Sequence, residues 1–208
     1  TTGTGAADLT WNPDADSPVL TMTANGTDLF VGGAFGNIGG LARSFFAKLS
    51  TTGTGAADVL WDPNPSNPVY PIAVKGTDVY AVGDFSVIGG LTRNFIARLS
   101  STGVGTVDAT WNPSANNDVF SIALSETDAY VGGSFTTIGG LSRDYIAKLS
   151  LSGTGNADPA WSVALDNPVF YINSMIYNSN VLYVTGQFTS PANYFLVIGV
   201  LSVPTLGE

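Results

Sequence analysis

A unit of fifty residues recurs along this chain, and a period of that size restricts the fold to a propeller, a solenoid or another stacked array. TTGTGAADLTWNP at 1–13 returns as TTGTGAADVLWDP at 51–63, STGVGTVDATWNP at 101–113 and, more loosely, LSGTGNADPAWSV at 151–163. Trp11, Trp61, Trp111 and Trp161 therefore stand fifty residues apart. Downstream, TDLFVGGAFGNIGGLARSFFAKLS at 27–50 is repeated at 77–100 and 127–150, and the fourth copy, at 181–202, keeps a strand-like core but loses Ile-Gly-Gly and the Arg. The chain divides into one repeat domain, 1–208, with repeats at 1–50, 51–100, 101–150 and 151–202 and a tail at 203–208.

Turn residues cut each repeat into four short strands. In the second copy Pro68–Val74 is rich in β-formers and ends at Lys75-Gly76-Thr77-Asp78, whose first-repeat counterpart Asn25-Gly26 is a strong hairpin signal. Val79–Phe85 alternates and breaks at Gly89-Gly90, and Asn94–Leu99 sets Phe95, Ala97 and Leu99 against Ile96 and Arg98. A Thr-Gly-x-Gly turn leads to a fourth strand, Val107–Trp111, stopped by Pro113, which cannot donate to a ladder. No segment sustains a helical period. The expected fold is all-β: a propeller-like array of four blades of four strands each, neighbours burying one another's faces.

Composition narrows the chemistry. With 16 acidic and 7 basic side chains the chain would be repelled by nucleic acid and by anionic membrane surfaces, so neither is an expected partner. The absence of Cys and His removes disulfides, zinc ligands, thiol nucleophiles and the usual general base. The carboxylates available for catalysis are repeat-equivalent Asp residues with Glu126 and Glu208, none set apart by a motif, and a non-enzyme is expected.

The repeats resemble a family of bacterial β-propeller repeats of unknown function, whose pattern is close to LYVGGxFTxIGGxxRxxIAxLxxTGxxxxxWxP. It is carried here by Tyr130-Val131-Gly132-Gly133-Ser134-Phe135-Thr136-Thr137-Ile138-Gly139-Gly140, Arg143, Tyr145-Ile146-Ala147-Lys148-Leu149 and Trp111-Asn112-Pro113. The resemblance implies the propeller fold and no particular ligand. The last six residues, Val203-Pro204-Thr205-Leu206-Gly207-Glu208, resemble the start of the IPTL-type C-terminal sorting signal of Gram-negative bacteria. That likeness implies export, and an extracellular or outer-surface location is the expectation.

The chain opens on a turn and fourth-strand sequence and ends after a third-strand sequence. That offset suits an N-terminal strand that completes the last blade of its own chain or of a neighbouring subunit. The third strand of the last copy has exchanged charge for apolar residues: Lys48, Arg98 and Lys148 correspond to Val200, and Arg43, Arg93 and Arg143 correspond to Phe195. Phe195, Leu196, Val197, Ile198, Val200 and Leu201 are therefore the candidate assembly interface, since an uncharged run of this kind must be covered.

Candidate ligand positions are Trp11, Asp14, Asp16, Trp61, Asn64, Trp111 and Asn116, on or beside the polar loops Asn12–Ser17, Asp62–Asn67 and Asn112–Asp118. The Trp residues read either as staples between blades or as sugar platforms. Asp14 and Asp16 could offer oxygen ligands to Ca²⁺, a weak signal without a fuller set, and otherwise no cofactor is expected. Arg43, Arg93 and Arg143 suggest structural pairing with Asp8, Asp58, Asp108 and Asp158, and the doubled glycines are turn residues. The function expected is that of a self-associating structural surface protein, forming a homo-oligomer or a filament; a carbohydrate-binding or adhesive module is the alternative.

Overall fold

The computed structural model describes residues 6–163, 169–188 and 199–202. The first repeat forms β1 (Val19–Asn25), β2 (Asp28–Gly33), β3 (Asn37–Ile38), β4 (Leu41–Ala42) and β5 (Phe46–Ser50). The second forms β6 (Val69–Lys75), β7 (Asp78–Gly83), β8 (Val87–Ile88), β9 (Leu91–Thr92) and β10 (Ile96–Ser100). The third forms β11 (Val119–Leu124), β12 (Asp128–Gly133), β13 (Thr137–Ile138), β14 (Leu141–Ser142) and β15 (Ile146–Ser150). The fourth supplies β16 (Val169–Asn178), β17 (Val181–Phe188) and β18 (Gly199–Ser202). No helix among the described residues is long and apolar enough to cross a membrane.

Each repeat is one antiparallel blade. The sheets run β1-β2-β5, β6-β7-β10, β11-β12-β15 and β16-β17-β18, and in the first three blades the two-residue strands fold into a small separate hairpin. In blades one and two the tight turn between the first two strands carries a left-handed glycine, Gly26 at φ 63° and Gly76 at φ 58°, where a Cβ would meet nothing within 4 Å. β1 packs on β6, β6 on β11 and β11 on β16, so the blades stack in chain order. Among the described residues no comparable packing joins β16 to β1. The second strand of each of the first three blades is buried over nearly its whole length, because a neighbouring blade or its own loops cover both faces; this is why its sequence does not alternate cleanly.

Two details depart from the sequence expectation. In the first three blades the fourth strand is reduced to one antiparallel bridge each: Leu49 to Ala57, Leu99 to Val107 and Leu149 to Ala157. The cause lies in the next residue. The Asp108 carboxylate accepts the amides of Thr110 (2.7 Å) and Trp111 (3.0 Å), bending the chain where Val107–Trp111 would have run on as a ladder. The third strand also starts late, because Phe45, Phe95 and Tyr145 adopt φ of 66°, 65° and 68°. This is an uncommon conformation for aromatic residues, held at Phe95 by its amide donating to Phe85 and its carbonyl accepting from Gly83.

The core is modular. Three hydrophobic clusters each span two consecutive blades: Phe30 and Phe46 with Trp61, Val69 and Ile72; Tyr80 and Ile96 with Trp111 and Val119; Tyr130 and Ile146 with Trp161, Ile172 and Met175. The fourth, built on Leu29, Val31, Phe35, Ile38, Ala47 and Leu49, takes its strand residues from blade one alone.

Candidate functional site

The junctions between blades are built around tryptophan. Trp61 sets its ring edge-on to Phe30 and Phe46 of blade one, with centroids 5.2 and 4.8 Å away. Trp111 meets Tyr80 at 5.4 Å and Trp161 meets Tyr130 at 5.6 Å in the same manner. The room for each indole comes from the second glycine of the Thr-Gly-x-Gly turn or its equivalent: a Cβ on Gly105 would lie 2.9 Å from Trp61, and one on Gly155 the same distance from Trp111. Trp61 and Trp111 are fully buried, which corrects their candidacy as ligand platforms. Their faces are spent on the neighbouring blade, leaving none for a sugar.

The charged repeat positions support the same junctions. Lys48 pairs with Asp58 at 2.6 Å, Arg98 with Asp108, and Lys148 with Asp158 at 2.9 Å. Burial opposes ionisation of Asp58 and Asp108 most strongly, but bonds from the paired cation and from backbone amides outweigh it and hold both carboxyls below their ordinary range. The recurrent Arg takes a different partner from the one its spacing suggests. Arg93 donates to the carbonyl oxygens of Thr92 (2.7 Å), Asp108 (2.7 Å) and Ala109 (3.0 Å), and Arg43 does likewise with Ala42, Asp58 and Val59. Asp58, Asp108 and Asp158 are already engaged by the third-strand cations, so the guanidinium clamps main chain, and Arg43 in addition lies 3.5 Å from the Asp62 carboxylate.

The polar loops are strapped to the blades. Asp16 accepts from the Gly36 amide (2.8 Å) and the Asn37 side chain (2.7 Å), and Asn116 accepts from the amides of Thr136 (2.9 Å) and Thr137 (3.0 Å). Asp14 and Asn64 take left-handed φ values of 49° and 43°, the turn conformation Asp and Asn tolerate best. Among the described residues no three acidic groups converge to hold a metal. At the other end of the strands a groove of about 660 Å³ lies between Ser125–Asp128 and Asn178–Asn180, walled by Tyr177 stacked on Tyr130 at 5.3 Å. Its charges are already paired, Lys75 with Glu126 at 2.9 Å and Lys148 with Asp158.

Among the described residues, two faces expose positions that are buried elsewhere in the repeat. On blade one Met22 is 62% exposed and Val19 37%, whereas the equivalent Ile72 and Val69 on blade two are 7% and 0% exposed. Trp11 is half-buried, holding its N–H on the Ser50 carbonyl at 3.0 Å, but among the described residues it meets no aromatic partner of the kind Trp61, Trp111 and Trp161 have. On blade four Tyr183 is 41% exposed, although Phe30, Tyr80 and Tyr130 at the same register are buried. Tyr183 pairs across the ladder with Val200 as Phe30 does with Lys48, Tyr80 with Arg98 and Tyr130 with Lys148. Leu201 pairs with Leu182; Phe195, Leu196, Val197 and Ile198 lie outside the described residues.

Stacked antiparallel blades with aromatic junctions define a β-propeller-type repeat protein. The sequence model of a family described as "Domain of unknown function (DUF5122) beta-propeller" matches residues 79–110 and 130–157. The fold is similar to that in the crystal structure of the computationally designed Ika4 protein, with a TM-score of 0.61 and 12% identity, covering 96% of this chain and 99% of that one. No curated protein matches the sequence.

Proposed function

We propose that this chain is a structural protein of the cell exterior whose activity is self-association through its first and fourth blades. The observation that carries the reading is the uncovered face of blade one. Met22 and Val19 stand in solvent at positions that blade two buries against its neighbour, and the cluster beneath them draws its strand residues from one blade where the others draw on two. Large apolar side chains arrayed on one face are a liability unless a partner covers them. Blade four adds the exposed Tyr183 and the uncharged stretch Phe195–Leu201. The external location rests on the likeness of Val203–Glu208 to an envelope sorting signal.

The test is light scattering with electron microscopy on the 1–208 chain over a range of concentrations. Mass that climbs with concentration, with ordered particles larger than one chain, is expected. A single-chain mass at every concentration would overturn the reading.

A further inference from the structure

We infer that the two open faces are complementary halves of one head-to-tail contact, in which blade one of one copy seats on blade four of a second copy and Trp11 packs edge-on to Tyr183. The inference rests on the self-association reading and specifies its geometry.

The template is repeated three times inside the chain. At each junction the Trp of the incoming repeat meets the aromatic residue in the second strand of the preceding blade, at 5.2, 5.4 and 5.6 Å. The first strand of the incoming blade lays its apolar residues on the same surface: Val69 and Ile72 on blade one, Ile172 and Met175 on blade three. Tyr183 is the fourth member of the receiving series by ladder register, and Trp11 is the remaining member of the donating series. Trp11 is already seated for the role. Its N–H is fixed on Ser50, and the site of a Cβ on Gly55 lies 3.0 Å from its ring, as Gly105 lies under Trp61. Met22 and Val19 are the exposed counterparts of Ile72 and Val69.

The two faces differ, so the contact is heterologous: a head meets a tail, and each added copy presents a fresh head or tail until the arc closes or a filament forms. The junction between copies also lacks one internal feature. Val200 stands where Lys48, Arg98 and Lys148 meet Asp58, Asp108 and Asp158, so the incoming Asp8 finds no cation. Asp8 keeps its bonds to the amide and hydroxyl of Thr10, at 2.9 and 2.6 Å. The contact between copies is accordingly weaker than the junctions within a chain and depends on concentration.

The experiment uses one variant with a blocked head, Met22→Arg, and one with a blocked tail, Tyr183→Arg. Both side chains are exposed, so each variant is expected to keep the wild-type circular dichroism spectrum and melting temperature; Val19→Arg and Tyr183→Ala serve as a second pair. A guanidinium without a partner in the seat should weaken association about a hundredfold or more. Each variant alone should remain at one chain mass where wild type assembles. Mixed in equal amounts they should form a two-chain complex and stop there, because the intact head of one fits the intact tail of the other and both outer ends are blocked. Wild-type assembly by either variant alone, or a mixture that stays at one chain mass, would overturn the head-to-tail contact while leaving self-association standing. A wild-type chain that never assembles would overturn the broader reading instead.

Discussion

The indole N–H of Trp61 donates a 2.9 Å hydrogen bond to the carbonyl oxygen of Ser100, 39 residues further along, while its ring packs on the preceding blade. One side chain thus ties the start of its own repeat to its end and to its neighbour. Trp61→Ala should lower stability by about 3–5 kcal/mol, the range for emptying a large buried aromatic site. Trp11→Ala should cost clearly less, since Trp11 is half-buried and among the described residues has no aromatic partner of the kind Trp61 has. Urea denaturation of both variants checks the contrast; equal losses would mean that the blade junction adds nothing to the staple.

The doubled glycines are not equivalent. A Cβ on Gly139 would fall 2.4 Å from the amide nitrogen of Ala157, at φ 60°, whereas one on Gly140, at φ 80°, meets nothing within 4 Å. Gly140→Ala should therefore cost only the left-handed backbone strain, about 1–2 kcal/mol. Gly139→Ala adds a backbone clash at the bridge between the third strand and the next repeat, and should destabilise by at least twice as much. Thermal melts that rank the two the other way would contradict this assignment.

Arg93 offers a test of clamp against charge. Its Nη atoms bind the carbonyls of Thr92, Asp108 and Ala109, while its Nε is buried without a partner. Lysine keeps the charge but not the planar fork. Arg93→Lys should cost roughly 1–3 kcal/mol, the scale of hydrogen bonds to charged groups. A loss within about 0.5 kcal/mol, typical of surface substitutions, would show that only the charge matters.

Much of this architecture was legible in the sequence, for identifiable reasons. The fifty-residue period marks the blades through self-similarity, and Asn25-Gly26 and Lys75-Gly76 mark hairpins through local turn chemistry. The staple reading of the Trp residues was accessible because all four stand at one register, with Pro two residues after Trp11, Trp61 and Trp111. The fourth strand is shorter than its composition suggests: Val107–Trp111 has strand composition, but the Asp108 side chain competes for the amides that would extend the ladder. Phe45, Phe95 and Tyr145 carry no sequence mark of a left-handed backbone, since aromatics ordinarily signal extended chain. The uncovered face of blade one was invisible, because Met22 and Ile72 differ in what lies against them rather than in kind.

The ion pair between Lys148 and Asp158 predicts how stability responds to pH. The hydrogen bond from Lys148 is the largest influence on the Asp158 carboxyl and, with the Ala160 amide, holds it below the ordinary carboxylate range. Burial acts most strongly on Lys148 and opposes its charge, but Asp158 and Asp128 outweigh it and raise the ammonium above the ordinary lysine value. A depressed carboxyl contributes stability in full above its unfolded value, about 3.9, and loses it as pH falls through the lower folded value. A raised ammonium contributes below its unfolded value, about 10.4, and loses that as pH rises through the higher folded value. Asp158→Asn keeps the Oδ1 acceptor for the Ala160 amide, at 2.9 Å, but removes the charge and replaces the Oδ2 that accepts from Lys148, at 2.9 Å, with an amide donor. The variant should lose roughly 1 kcal/mol or less at neutral pH, because the pair is partly solvated. It should also lose stability less steeply than wild type below about pH 4. Urea midpoints measured from pH 2 to 7 decide the matter: parallel acid limbs would mean that the pair does not couple folding to protonation, and a flatter limb in the variant would assign the acid sensitivity of this junction to Asp158.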